Sequence, residues 1–182
     1  MREPAPPYGG EGPHALWHVS ENPSIATFEP HLSATAESTE PRVWAVDTRH
    51  LPLYWFPREC PRGTFWATDG TTPADFELLA GSPRVHLVEA RWVGRMRAAR
   101  VIAYRLPEKT FVPDPEVGGY WLSRDAVTPV KVAELGDLIT LHGGSGIELR
   151  IVDNLFPVWA RVVKSTLQFS GIRLHNALPP PD

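Results

Sequence analysis

Short apolar runs broken by proline set the rhythm of this chain. Leu16-Trp17-His18-Val19 is apolar apart from one histidine and runs into Ser20-Glu21-Asn22, which predicts a short buried strand ending in a polar turn. Ile25 and Phe28 are expected to tuck back onto the core, and His31 to Pro41 reads as a polar loop rich in Ser, Thr, Ala and Glu. Val43-Trp44-Ala45-Val46 is a second apolar strand. Asp47-Thr48 ends it, and Asp47 suits the N-cap of a short helix through Leu53-Tyr54-Trp55-Phe56, stopped by Pro57. Gly63 leads into a strand over Thr64-Phe65-Trp66-Ala67.

Thr72 before Pro73 is a good helix start, and the helix predicted there runs through Phe76-Glu77-Leu78-Leu79 to Gly81. Val85, Leu87 and Glu89 alternate with His86, Val88 and Ala90, the pattern of a strand over 84–92. The arginine-rich stretch 93–99 reads equally as a helical turn or a hairpin loop. Val101 to Leu106 is a strand closed by Pro107, 113–119 is a loop, and Tyr120-Trp121-Leu122-Ser123 is a strand followed by an extended piece over 127–132. Asp137 to His142 predicts a short helix ended by Gly143-Gly144, and 147–152 alternates as a strand.

Leu155, Val158, Trp159, Val162, Val163, Thr166 and Leu167 recur at helical spacing, which predicts one long C-terminal helix over 155–169, ended by Gly171. This order of elements points to an α+β fold: a single domain over 14–178 with a twisted, mainly antiparallel, split sheet and otherwise short helices. Residues 1–13 read as a flexible leader and 179–182 as a tail.

The totals narrow the class. A chain of 182 residues suits one domain with a sizeable core. A net charge of -3 gives no electrostatic case for nucleic acid as a partner. No apolar run reaches the roughly 18 residues of a membrane span, and 1–13 lacks the apolar region of a secretory signal. A soluble cytoplasmic protein is expected. The single cysteine, Cys60, excludes an internal disulfide and a cysteine-rich zinc site. Twenty prolines favour strands and loops over long helices.

No P-loop, GxGxxG, HExxH or GxSxG motif is present. The histidines His14, His18, His31, His50, His86, His142 and His175 show no ligand spacing, and no metal is expected. His18 and Ser20, two apart on a strand, point to one face. They can approach a ribose or phosphate together, or be a satisfied core histidine and a turn cap. Asp47-Thr48-Arg49-His50 with Tyr54 opens a helix where backbone amides favour an anion, or is a capped helix with solvated charges. Arg58 and Arg62 flank Cys60 between two prolines, as a diphosphate clamp or as surface charge. The same arginines would lower the thiol pKa of Cys60, although no histidine stands near it in sequence. The seven tryptophans are core candidates, one or two of them suited to stacking on a nucleobase or nicotinamide ring. Arg173 and Asn176 tie the tail to the domain or complete a pocket.

Leu16-Trp17-His18-Val19-Ser20-Glu21, Val43 to Asp47, Leu53-Tyr54-Trp55-Phe56-Pro57-Arg58 and Phe169-Ser170-Gly171-Ile172-Arg173 together resemble a bacterial domain family of unknown function, over about residues 15–177. More loosely, the first-strand His-x-Ser, Phe28-Glu29-Pro30, a second strand feeding a short helix that carries a tyrosine, and a late Trp-x-Ser before Val127-Thr128-Pro129 are similar to the ADP-ribosyltransferase-like fold. That resemblance implies NAD as the ligand, with His18 holding the ribose, Ser20 supporting it and Tyr54 stacking on nicotinamide. The transferase glutamate commonly opens the late strand, about seven residues before Val-x-Pro. Here that position is Tyr120, and the nearby acids are Glu116 and Asp125.

The expected site is a cleft lined by His18, Ser20, Trp44, Tyr54 and Arg58, with Asp125 as an acid. It would bind a nucleotide, with or without action on an N-glycosidic bond. Two other classes stand beside it. One is a small-molecule enzyme with His18 as general acid/base and Asp47 or Asp125 as its partner. The other is a non-catalytic binding module that uses a tryptophan-rich surface.

Overall fold

Proline keeps the regular elements short, and no helix among the described residues exceeds seven residues. The structure, a computed structural model, describes residues 15–32 and 40–181. The predicted leader and most of the 31–41 loop lie outside them. The strands are β1 (Leu16–Ser20), β2 (Val43–Asp47), β3 (Arg62–Trp66), β4 (Arg84–Glu89), β5 (Ile102–Leu106), β6 (Phe111–Pro113), β7 (Tyr120–Ser123), β8 (Lys131–Glu134), β9 (Glu148–Val152) and β10 (Gln168–Ile172). The α-helices are α1 (Pro73–Phe76), α2 (Val93–Ala98), α3 (Leu138–Gly144) and α4 (Phe156–Val162). The architecture is α+β with mainly antiparallel sheet. The strands sort into two sheets, one in each of two compact units.

One unit holds the described residues up to Tyr54 together with Arg100–Leu135. Its six-stranded sheet runs β6-β7-β2-β1-β5-β8, antiparallel throughout. Leu16, Val43, Ala45, Ile102, Tyr104, Leu106 and Phe111 form its apolar cluster with Phe28 and Val127. Those last two residues exchange backbone hydrogen bonds of 2.8 and 2.9 Å, which hold their segments in place over the core. The Tyr104 hydroxyl, carried into the core, donates to the Asn22 carbonyl at 2.6 Å, so its burial leaves no lone donor. β1 pairs with β5 along its whole length, from Leu16↔Leu106 to Ser20↔Ile102. Against β2 it pairs only at Leu16↔Asp47 and Trp17↔Val46.

The other unit holds Trp55–Ala99 and the described residues from Gly136 on. Its four-stranded sheet runs β10-β3-β4-β9, with β4 and β9 parallel. β4 is central and every one of its side chains is buried. Phe65, Val85 and Leu87 face an apolar cluster with Leu78, Leu79, Leu155, Trp159, Val162 and Leu167. Alternation sends Arg62, Thr64, Trp66, Arg84 and His86 to the opposite face.

Thr72 caps α1 and Pro73 opens it, as the sequence predicts. Asp137 caps α3 through Ile139 N–H, and the arginine-rich stretch is the helix α2. The long C-terminal helix is corrected: α4 ends at Val162, and the chain returns as β10 along β3. The break has a local cause. The Ser165 hydroxyl donates to the Val162 carbonyl at 2.7 Å and accepts from Leu167 N–H at 3.2 Å. Asp75 accepts from both the backbone N–H and the hydroxyl of Thr166, at 2.9 and 2.6 Å. Helical spacing over 155–167 is thus the sum of a seven-residue helix, a pinned turn and the start of a strand. β6 was not anticipated. It is a three-residue edge strand that ends at Pro113, a residue edge strands tolerate. Among the described residues, no helix is long and apolar enough to cross a membrane.

Gly63 and Gly171 are cross-strand partners, and together they form a slot for the Trp159 indole. A Cβ on Gly63 would stand 2.5 Å from Trp159 Cε3. Gly63→Ala is therefore expected to cost about 1–3 kcal/mol by overpacking, read as a lower urea midpoint at unchanged slope. An unaltered midpoint would mean that the indole has room to move.

Candidate functional site

His18 sits where β1 and β2 stop pairing. Its Nδ1 lies 2.9 Å from the Trp44 carbonyl oxygen. A carbonyl only accepts, so Nδ1 carries a proton, and in the neutral ring Nε2 is the acceptor nitrogen. The imidazole thus takes the carbonyl that a continued ladder would have used. Its ring packs on Phe28 at 4.6 Å between centroids. Alternation along β1 places His18 with Leu16 and Ser20, on the side of the apolar cluster. Ser20 accepts the Asn22 N–H at 3.1 Å, and Asn22 Oδ1 accepts the Ser24 N–H at 3.0 Å, so the serine closes the turn that follows the strand.

Trp44 alternates with Val43 and Ala45 and therefore projects to the other side of the sheet. There its ring meets Tyr120 edge-on, at 6.5 Å. Tyr120 in turn meets Tyr54 at 6.4 Å, and the two hydroxyls are 2.5 Å apart. Tyr54 is delivered by the one-turn 3-10 helix Leu51–Tyr54, shorter than the helix the sequence predicts. Tyr120 is the first residue of β7, the position where the transferase resemblance expects a glutamate.

Asp125 is exposed, and its backbone N–H donates to the Ser123 hydroxyl at 3.1 Å. Arg58 belongs to the other compact unit, where its exposed guanidinium lies 3.9 Å from Glu59. Of the predicted residues, then, Trp44 and Tyr54 come together through Tyr120, while His18 and Ser20 stand on the opposite face of the same sheet.

Three side-chain groupings take shape only in the fold. The Tyr54–Tyr120 pair spans 66 positions, and no local pattern announces it. Asp47 does cap the backbone N–H of His50 at 2.9 Å, as an aspartate after a strand should. It also accepts from His50 Nδ1 at 2.8 Å, fixing the imidazole. The His50 ring lies where a side chain on Gly119 would be: a Cβ there would stand 2.0 Å from Nδ1, and the backbone has φ +85°. The third grouping, His86 with His142, lies in the four-stranded unit.

The connector between Pro57 and Arg62 splits its two arginines. Arg58 is exposed, while Arg62 is buried, with Nη1 donating to the Cys60 carbonyl at 3.0 Å and its guanidinium 5.2 Å from the Phe56 ring centre. Burial pushes the Cys60 thiol up to about 12, and Arg62 only partly offsets it. Among the described residues, no three His, Cys, Asp or Glu side chains gather as a metal site would need.

Residues 17–177 match the model of DUF6886, a family of unknown function. No curated protein and no solved structure matches the chain.

A thiol held near 12 has almost no thiolate at neutral pH. Cys60 in the folded protein is expected to resist a disulfide exchange reagent at pH 8 for hours and to react within minutes in guanidinium. Rapid stoichiometric reaction without denaturant would contradict its burial.

Proposed function

We propose that this chain, which belongs to DUF6886, a family of unknown function, binds a nucleotide of the NAD class on its six-stranded unit. The observation that supports this most is His18 at the split between β1 and β2. Its Nδ1 is held by the Trp44 carbonyl, which orients the ring at the end of the β1–β2 ladder. The looser likeness to ADP-ribosyltransferases gives a first-strand histidine the role of holding the ribose. Ser20 supports it by holding the turn after the strand. Trp44, Tyr54 and Tyr120 cluster on the opposite face of the sheet, so they do not stack on a ring whose ribose His18 holds.

Binding without transfer is the favoured form. At the head of β7 a transferase carries a carboxylate that draws a proton from the acceptor. Here a phenol stands there, hydrogen-bonded to a second phenol. Asp125 is too exposed to serve as a desolvated base in its place.

A second reading, a small-molecule enzyme working by general acid/base catalysis, rests on the Asp47–His50 dyad. The aspartate expected as a partner for His18 orients His50 instead, which makes His50 the base of that reading. Arg58 enters neither.

The test is a calorimetric titration with NAD, ADP-ribose, nicotinamide and ATP on the wild type and His18→Asn. Asparagine keeps an N–H donor at the position of Nδ1 and removes Nε2, so the variant should fold. Loss of one ligand hydrogen bond of about 1–1.5 kcal/mol should weaken NAD and ADP-ribose binding roughly tenfold. Equal affinity in the two proteins, or no binding of any of the four to the wild type, would overturn the reading. Turnover abolished by His50→Asn and kept in His18→Asn would favour the second.

A further inference from the structure

The four-stranded unit buries two imidazoles in contact. His86, on β4, and His142, on α3, both have no exposed surface. His142 Nδ1 lies 2.6 Å from the Leu138 carbonyl oxygen, and His142 Nε2 lies 2.9 Å from His86 Nδ1. Only one arrangement of protons satisfies this chain. The carbonyl accepts, so His142 carries its proton on Nδ1 and its Nε2 accepts. His86 then carries its proton on Nδ1 and donates it to His142, which leaves His86 Nε2 as a buried acceptor without a hydrogen-bond partner.

The pair holds α3 on the sheet. Leu138 and His142 are the buried side chains of that helix, so one of its two buried anchors is an imidazole. Trp55 and Phe56 close around His142, with ring centres 5.7 and 5.0 Å away. The charged or titratable groups that act on His86 are Arg84 from its own strand, His142 from α3 and Arg62 from β3. All of these are cationic or become so in acid, and each opposes a proton arriving there.

We propose that His86 and His142 form a one-proton acid switch that controls the docking of α3 on the four-stranded sheet. The proton enters at His86 Nε2. His86 passes its Nδ1 proton to His142 Nε2 and is left neutral in the opposite tautomer. His142 now carries protons on both nitrogens and one positive charge, and its Nδ1–H still points at the Leu138 carbonyl. The helix then carries a buried cation towards Arg84, and the undocked state, in which water solvates that charge, gains.

The direction in pH follows from burial. Desolvation lowers His142 to about 4, with Arg84 adding to the effect and the Leu138 carbonyl opposing it. Desolvation also holds His86 well below its ordinary value. A solvated imidazole takes up its proton near pH 6.5. Docking is therefore complete above about pH 6.5 and weakens as pH falls from there towards 4, because the undocked state binds the extra proton. Both histidines lie in the unit that does not carry His18.

Amide hydrogen exchange of α3 tests it, with α4 in the same unit as the internal standard. After correction for intrinsic exchange, protection of α3 should fall about tenfold per pH unit between 6 and 4.5 while that of α4 holds. In His142→Gln, whose amide can accept and donate but takes no proton, the pH dependence of α3 should flatten, with only His86 left to titrate. Equal behaviour of α3 and α4, or an unchanged dependence in the variant, would overturn the proposal. Should His142→Gln fail to fold, imidazole nitrogen spectra of the wild type decide: a proton on His86 Nε2 at pH 7 would also overturn it.

Discussion

A strand places successive side chains on opposite faces, and in both sheets of this protein that two-residue period separates the packing residues from the polar ones. On β3 and β4 it sends Phe65, Val85 and Leu87 to the apolar cluster and Arg62, Thr64, Arg84 and His86 to the other side. On β2 it sends Val43 and Ala45 to the cluster and Trp44 to the aromatic group with Tyr120 and Tyr54. His18 departs from this division. It is a polar residue on an apolar face, where an unbonded ring nitrogen would cost on the order of 1–3 kcal/mol. The end of the β1–β2 ladder is what frees the Trp44 carbonyl to accept from it. The split and the histidine are thus two sides of one arrangement.

The same accounting explains the polar face of the four-stranded sheet. Buried guanidinium groups there lie against aromatic rings, Arg62 over Phe56 at 5.2 Å and Arg84 over Trp66 at 4.9 Å. The two imidazoles satisfy one another in series and end on a backbone carbonyl. Neutral imidazoles add no further charge to a face that already buries two guanidinium groups. Cys60 shares that surrounding and is silenced by it: burial outweighs the arginine next to it, which local sequence alone would credit with activating the thiol.

Much of the fold was legible because its signals are local. A threonine before Pro73 opens α1, an aspartate before Leu138 opens α3, and the apolar runs at Leu16, Val43, Val85 and Ile102 are strands. The long helix expected over 155–169 failed because Ser165 and Thr166 read as tolerable helix positions, while in the fold Ser165 turns the chain locally and Asp75, about ninety residues away, pins Thr166. The candidate site was legible residue by residue and illegible as a group. His18 and Ser20 were seen to share a face, yet their side of the sheet relative to Trp44 depends on the register of β1 with β2. Position alone flagged Tyr120, as the place where an expected glutamate is missing. Its bond to Tyr54 needs the fold. His50 was noticed beside Asp47, but its seat on Gly119 is set by strand pairing that continues through Asp47 N–H to the Gly119 carbonyl at 3.0 Å.

The most direct test of the split at His18 is the imidazole nitrogen spectrum of the protein at pH 7.5, recorded while ADP-ribose is added. His18 should show its proton on Nδ1 in the free protein, and its Nε2 resonance should shift as ligand binds, with the His50 nitrogens unmoved. A proton on His18 Nε2 in the free protein, or a His18 Nε2 signal that stays in place at saturating ligand, would contradict the arrangement on which the nucleotide reading stands.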